Sequence, residues 1–138
     1  MPVRNASAEW NGTLKKGSGI MKLGSVAFEV AYSYATRFEE QPGSNPEELV
    51  GAALSGCFSM YLAAQLTNAG FPPVQIRTQA RVNLGEGPRI HLIELDTEAE
   101  VPNISDLLFQ EKVAKSKSSC PVSMALAGPE IRVNARLV

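Results

Sequence analysis

Histidine and cysteine are nearly absent from this sequence, and their scarcity removes much of the usual catalytic chemistry. Its 138 residues include a single histidine, His91, and two cysteines, Cys57 and Cys120. Two thiols and one imidazole are too few for a tetrahedral zinc site within one chain. No Gly-Lys-Ser/Thr follows the glycines at 17, 19 and 24, so no phosphate loop is expected. A basic excess is missing too: 13 Lys and Arg face 14 Asp and Glu, a net charge of −1. That balance lacks the electrostatic footprint of nucleic-acid binding. No run is expected to reach the ~18 apolar residues of a membrane span, and Met1-Pro2-Val3-Arg4-Asn5 has no apolar stretch of the kind a secretory signal needs. The expectation is one soluble, cytoplasmic domain over residues 1–138, long enough to bury a core without staples. In a reducing compartment, paired cysteines serve catalysis or metal binding more often than architecture.

What is present reads as strands, then a long helix, then strands and helices again. Ser7 to Trp10, Gly19 to Leu23 and Val26 to Tyr34 are β-formers between glycine-marked turns. The third segment puts Val26, Phe28, Val30, Tyr32 and Tyr34 on one face. A polar loop follows between Arg37 and Ser44. Asn45 is suited to cap a helix, Pro46 to begin it, and Glu47 and Glu48 to its electropositive first turn. Asn68-Ala69-Gly70, with Pro72 and Pro73 beyond, ends it after about 23 residues, roughly 35 Å. Its residues are apolar or small almost all round, which predicts burial on most sides. Val74 to Leu84 and Arg89 to Val101 alternate as two strands. Ser105 and Asp106 open a second helix, with Leu107, Leu108, Val113 and Ala114 on its apolar side. A short helix over Cys120–Leu126 and a strand over 131–137 complete an α+β fold: a mostly antiparallel sheet around a central helix.

The two cysteines carry the chemistry. A thiol inside an apolar helix stays protonated unless a cation holds its thiolate. Arg37, just upstream of the helix, is the candidate cation for Cys57, and Glu47 or Glu48 could orient its guanidinium. Glu47 and Cys57 are ten residues apart, about 15 Å along a straight helix, and cannot meet within one chain unless it breaks. They can meet if two copies of the helix cross antiparallel near Ala52, where Gly51, Ala52, Ala53, Ser55 and Gly56 would permit close approach. A homodimer with composite sites is therefore expected. Cys120 precedes Pro121 at a helix start, where free backbone N–H groups favour a thiolate. Spacing alone leaves open which cysteine attacks and which resolves. His91 alternates in phase with Ile93 and Leu95 and reads as a sheet residue.

Five segments then fall into a pattern: Ala8-Glu9-Trp10-Asn11-Gly12, Thr36-Arg37-Phe38-Glu39, Gly43-Ser44-Asn45-Pro46-Glu47-Glu48-Leu49, Gly56-Cys57-Phe58-Ser59-Met60 and Cys120-Pro121-Val122-Ser123. In order and spacing they resemble the OsmC/Ohr family nearly end to end, and its OsmC branch more closely. The resemblance implies an intertwined homodimer, with antiparallel sheets wrapped around long central helices. It implies a cysteine-based peroxidase, free of metal and flavin, that reduces organic hydroperoxides and, more weakly, hydrogen peroxide in oxidative and osmotic stress. It makes Cys57 the peroxidatic residue and Cys120 the resolving one. Arg37 would stabilise the thiolate and polarise the peroxide, and Glu47 would hold Arg37. The expected reductant is a dithiol on a lipoylated protein. Two competing readings remain at this level. A cysteine acyl-transfer enzyme would lack a base, and a non-enzymatic dimer binding an apolar ligand would use both thiols as filler.

Overall fold

The computed structural model describes residues 3–25, 28–128 and 132. The chain packs as two compact units, Met1–Val50 and Gly51–Val138. In the first, strands β1 (Ala6–Asn11), β2 (Ser18–Leu23) and β3 (Glu29–Tyr32) form an antiparallel sheet in that order. Gly19 in the central strand lies directly across from Trp10 on one side and Tyr32 on the other. The two rings close over it with centroids 5.3 Å apart. A Cβ at Gly19 would stand 2.7 Å from atoms of both rings, so only glycine fits between them.

The third strand is shorter than its run of β-formers predicts. It stops at Tyr32 because Ser33 and Thr36 form a reciprocal capping box and start helix α1 (Tyr34–Phe38). Tyr34, expected on the sheet face, instead packs its ring against Phe38 at 5.1 Å. Val30 and Tyr32 are half-buried as expected, whereas Phe28 is exposed, and Val26 lies outside the described residues. Arg37, expected to open a loop, sits in the last turn of α1.

Helix α2 runs unbroken over Pro46–Asn68, 23 residues, with the predicted ends. Asn45 Oδ1 accepts the Glu48 N–H at 2.8 Å. Gly70, at φ +91°, takes the left-handed position beyond the helix. Phe71 N–H then donates to Leu66 O at 2.8 Å and Gly70 N–H to Thr67 O at 3.0 Å, which satisfies the last carbonyls. Two expectations for this helix need correction. It does reach the length and apolar character of a membrane span. Nor is it buried on most sides. One stripe, Gly51, Leu54, Phe58, Leu62 and Leu66, is buried, while Ala52, Ala53, Gly56, Met60 and Ala64 are exposed. Spacing at three and four residues selects that stripe; no other element of the single chain covers the opposite face among the described residues.

In the second unit, β4 (Gln75–Gly85) and β5 (Arg89–Glu100) form an antiparallel hairpin. Ile76, Ile93 and Leu95 pack against the buried stripe of α2. The outer face pairs Arg77 with Glu98, and Arg81 with both Glu94 and Asp96. Gly51 lets the helix approach this hairpin, since a Cβ there would come within 3.1 Å of the Val82 side chain. Helix α3 (Asp106–Ser119) begins at the predicted cap, Ser105, whose Oγ accepts the Leu108 N–H. Its inward face differs from the predicted one. Leu107 is 83% exposed, and Ala114 is exposed as well, while Phe109, Val113 and Ser116 turn inward. Those three stand at the i, i+4, i+7 positions that continue to Cys120, and position 107 lies on the other side of the helix. Helix α4 (Pro121–Leu126) follows, and the strand expected over 131–137 lies outside the described residues. The class is α+β with antiparallel sheets and a long central helix, as expected, although the described strands form two sheets instead of one.

Candidate active site

The fold brings the two thiols together. Cys57 sits half-buried on α2, and Cys120, fully buried, forms the junction between α3 and α4. Cys120 is also the N-cap residue of α4. Its Sγ accepts the Ser123 N–H at 3.4 Å and lies 3.1 Å from Ser123 Oγ. The same first turn of α4 acts on both sulfurs, because the Val122 N–H lowers the pKa of Cys57 as well as that of Cys120. Cys57 packs against the buried cluster that includes Cys120, and each thiol shifts the pKa of the other.

This geometry pushes the thiols apart electrostatically. Burial raises the pKa of Cys57, and the neighbouring Cys120 raises it further, against the lowering influence of the Val122 N–H. Burial also acts upward on Cys120, but there the Ser123 hydroxyl, the Ser123 N–H, the Cys57 thiol and the Val122 N–H together prevail and lower it. The two directions favour ionisation of Cys120 before Cys57, and among the described residues no cation acts to lower Cys57.

The first unit holds the predicted cation and carboxylate as a pair. Arg37 donates through Nε at 2.9 Å and through Nη2 at 2.8 Å to Glu47 Oε1. Its guanidinium also lies over the Phe38 ring, 4.9 Å from the centroid. Both nitrogens converge on one carboxylate oxygen, so the grip is not a two-oxygen fork. Glu47 Oε2 is buried and hydrogen-bonds to no described residue. Glu48, the alternative carboxylate, is exposed. His91 is exposed in β5, beside Gly85.

A cavity of about 890 Å³ opens beside α4, lined in part by Phe58, Leu95, Phe109, Val113, Ser123 and Leu126. Ser123 is a site residue that the sequence analysis does not single out. Cap arithmetic would have found it, since the third helical position after an N-cap residue is the one whose N–H the cap accepts.

Residues 39–135 match the family of OsmC-like proteins. Over 127 residues, 89% of each chain, the sequence is 42% identical to the peroxiredoxin OsmC of Escherichia coli (strain K12). The chain belongs to the OsmC-like family. Solved structures share its fold at low identity. An organic hydroperoxide resistance protein OsmC from Legionella pneumophila superposes with a TM-score of 0.65 at 18% identity, covering 93% of each chain. The organic hydroperoxide resistance protein OhrB of Bacillus subtilis gives 0.59 at 20% identity, covering 90% of this chain and 91% of its own. In this OsmC-like chain, both cysteines and the Arg37–Glu47 pair fall on elements described above, Cys57 and Glu47 on the same continuous helix.

Proposed function

We propose that this protein is a cytoplasmic two-cysteine peroxidase, a single OsmC-like domain over residues 1–138 that works as an intertwined homodimer. That it detoxifies peroxides follows from its 42% identity to a peroxiredoxin over 89% of its length. The two-cysteine mechanism rests on one observation above the others. Cys57 and Cys120, far apart in sequence, meet at one buried cluster, where each thiol shifts the pKa of the other.

The Cys57 thiolate attacks one peroxide oxygen and the O–O bond breaks. An alcohol leaves, with water in its place for hydrogen peroxide, and Cys57 becomes a sulfenic acid. The Cys120 sulfur then displaces that hydroxyl as water, forming a disulfide that blocks over-oxidation. An external dithiol, carried on a lipoylated protein, restores both thiols by exchange. No metal or flavin takes part.

The cation that Cys57 lacks among the described residues of its own chain comes, in this reading, from Arg37 of a second copy, held by that copy's Glu47. Helix α2 has no break, so Glu47 and Cys57 of one chain stay about 15 Å apart along it. An antiparallel crossing near Ala52 exchanges them between copies. The exposed face of small residues, Ala52, Ala53 and Gly56, supports such a crossing. The apolar side chains Phe38, Leu54, Phe58 and Met60 favour organic hydroperoxides over hydrogen peroxide.

The test is intact mass and free-thiol count before and after stoichiometric cumene hydroperoxide, without reductant. The expected product has lost both thiols and about 2 Da, the two hydrogens of a disulfide, and yields a Cys57–Cys120 peptide. Cys120→Ser should then complete one turnover and stop. Two unreacted thiols would defeat the peroxidase reading and leave a module for an apolar ligand, whose binding Cys120→Ser would not disturb.

A further inference from the structure

The cycle above asks a fully buried sulfur to act as a nucleophile, and it rests on the two-cysteine reading. Cys120 has no exposed surface and packs among Leu54, Phe58, Leu62 and Leu66. In such surroundings a thiol keeps its proton and attacks slowly. Among the described residues, one side chain hydrogen-bonds to its sulfur: that of Ser123, with Oγ at 3.1 Å, and the Ser123 backbone nitrogen lies 3.4 Å from Sγ. Charged groups stand further off. Lys117 of α3 and Arg81, His91, Glu94 and Asp96 of the β4–β5 hairpin line the cavity that Ser123 borders, whereas Cys120 itself is sealed from it.

We propose that Ser123 is the positioning residue of the disulfide-forming step, holding the Cys120 sulfur as an oriented thiolate beside Cys57. A hydroxyl can play both parts this requires. While Cys120 is protonated, its S–H donates to Ser123 Oγ; once the proton is gone, the hydroxyl turns and donates to sulfur. The N–H donates to sulfur in either state. Two donors from one residue fix the direction of the sulfur lone pairs as well as their charge. The lowered pKa of Cys120, in which both Ser123 donors take part against the upward influence of burial, agrees with this role.

The step balances simply. The Cys120 thiolate attacks the sulfur of the Cys57 sulfenic acid, an S–S bond forms and the S–O bond breaks. The hydroxide that leaves takes up the proton Cys120 had released, giving water. The Cys120 sulfur is oxidised and the sulfenic sulfur reduced, both to the disulfide level.

Threonine and valine at position 123 have the same shape and differ in the hydroxyl. Wild type, Ser123→Thr and Ser123→Val, as full-length protein, are mixed with stoichiometric cumene hydroperoxide, quenched by alkylation and analysed by mass. The sulfenic acid is trapped in parallel with a cyclic diketone. Expected for Ser123→Val is a disulfide step slowed about tenfold relative to loss of the first thiol, the equivalent of one charge-assisted hydrogen bond. The pH profile of that step should move upward, with more trapped sulfenic acid and more sulfinic acid at Cys57. Ser123→Thr should restore rate and profile. If Ser123→Val loses its fold by circular dichroism, Ser123→Ala takes its place in the comparison with Ser123→Thr. A disulfide step in the hydroxyl-free variant that matches wild type in rate and pH profile overturns the proposal alone. So does a Ser123→Thr variant as slow as Ser123→Val. A wild type that forms no Cys57–Cys120 disulfide overturns this proposal together with the two-cysteine mechanism.

Discussion

Arg37 is held from two directions, by Glu47 Oε1 through two of its nitrogens and by the face of Phe38. Lysine would keep the charge but lose the planar fork and the stacking. If Arg37 stabilises the charge that develops on the peroxide, Arg37→Lys should lower kcat/KM for an alkyl hydroperoxide about a hundredfold, the usual cost of one such donor. Steady-state kinetics with an unchanged melting curve would support that role, and full activity would end it. The thiols make a second prediction at this scale. Cys57 is raised, by burial first and by Cys120 after it, and Cys120 is lowered by its donors despite burial. An acid whose pKa is lowered ionises earlier as pH rises, and one whose pKa is raised ionises later. In a single chain, without the Arg37 of a second copy, thiolate absorbance should therefore rise in two steps, below and above the ordinary thiol range, with apparent values that belong to the pair. The monomer expected of Gly56→Leu is where this is read. Adding Cys57→Ala to that monomer removes the lowering influence of Cys57 on Cys120 and the competing titration together. It should leave one step, at higher pH than the first step of the monomer with both thiols. A lone step in the latter would show that the two sulfurs are uncoupled.

Along α2, position 51 shows what packing against the hairpin requires. A Cβ there would meet Val82 at 3.1 Å and Ala80 at 3.4 Å. Alanine would gain up to ~1 kcal/mol of helix propensity over glycine, which the crowding offsets in part. Valine adds two methyls to the same gap, and overpacking of that order costs about 2 kcal/mol. Chemical denaturation should show Gly51→Val destabilised by that amount and Gly51→Ala close to neutral; a stable Gly51→Val would mean that the hairpin can recede freely. The elements themselves were legible where local signals agree. Asn45, Pro46 and Gly70 mark α2 because caps are short-range chemistry, and β4 and β5 announce themselves by strict alternation. α1 was hidden because Ser33 and Thr36 stop a run of β-formers that otherwise favours a strand. The inward face of α3 was misjudged for a different reason: Leu107 is apolar, but the face is chosen by Phe109, Val113 and Ser116 on the way to Cys120. The Arg37–Glu47 pairing was accessible from residue types alone, whereas the use of a single Glu47 oxygen depends on coordinates that no spacing encodes.

For the whole molecule, the telling feature is the face of α2 that no described residue covers. Met60 is 77% exposed there, and a Cβ at Gly56 would meet nothing within 4 Å. Glycine in the middle of an exposed helix is a liability, worth about 0.8–1 kcal/mol against alanine. If this protein worked alone, Gly56→Leu would add helix propensity without steric cost, so its melting temperature would rise or hold and peroxidase activity would persist. If two α2 helices cross at this face, the same side chain forces the backbones apart. It also separates Cys57 from the Arg37–Glu47 pair of the other copy. The expected outcome is the second: Gly56→Leu sediments as a monomer, melts lower and loses turnover, while its far-ultraviolet circular dichroism stays native. The sign of the stability change distinguishes the two cases because propensity and crowding act in opposite directions at one atom. It also bears on the chemistry, since a monomer that keeps its two thiols but lacks a cation for Cys57 should still form the disulfide under strong oxidant, only slowly.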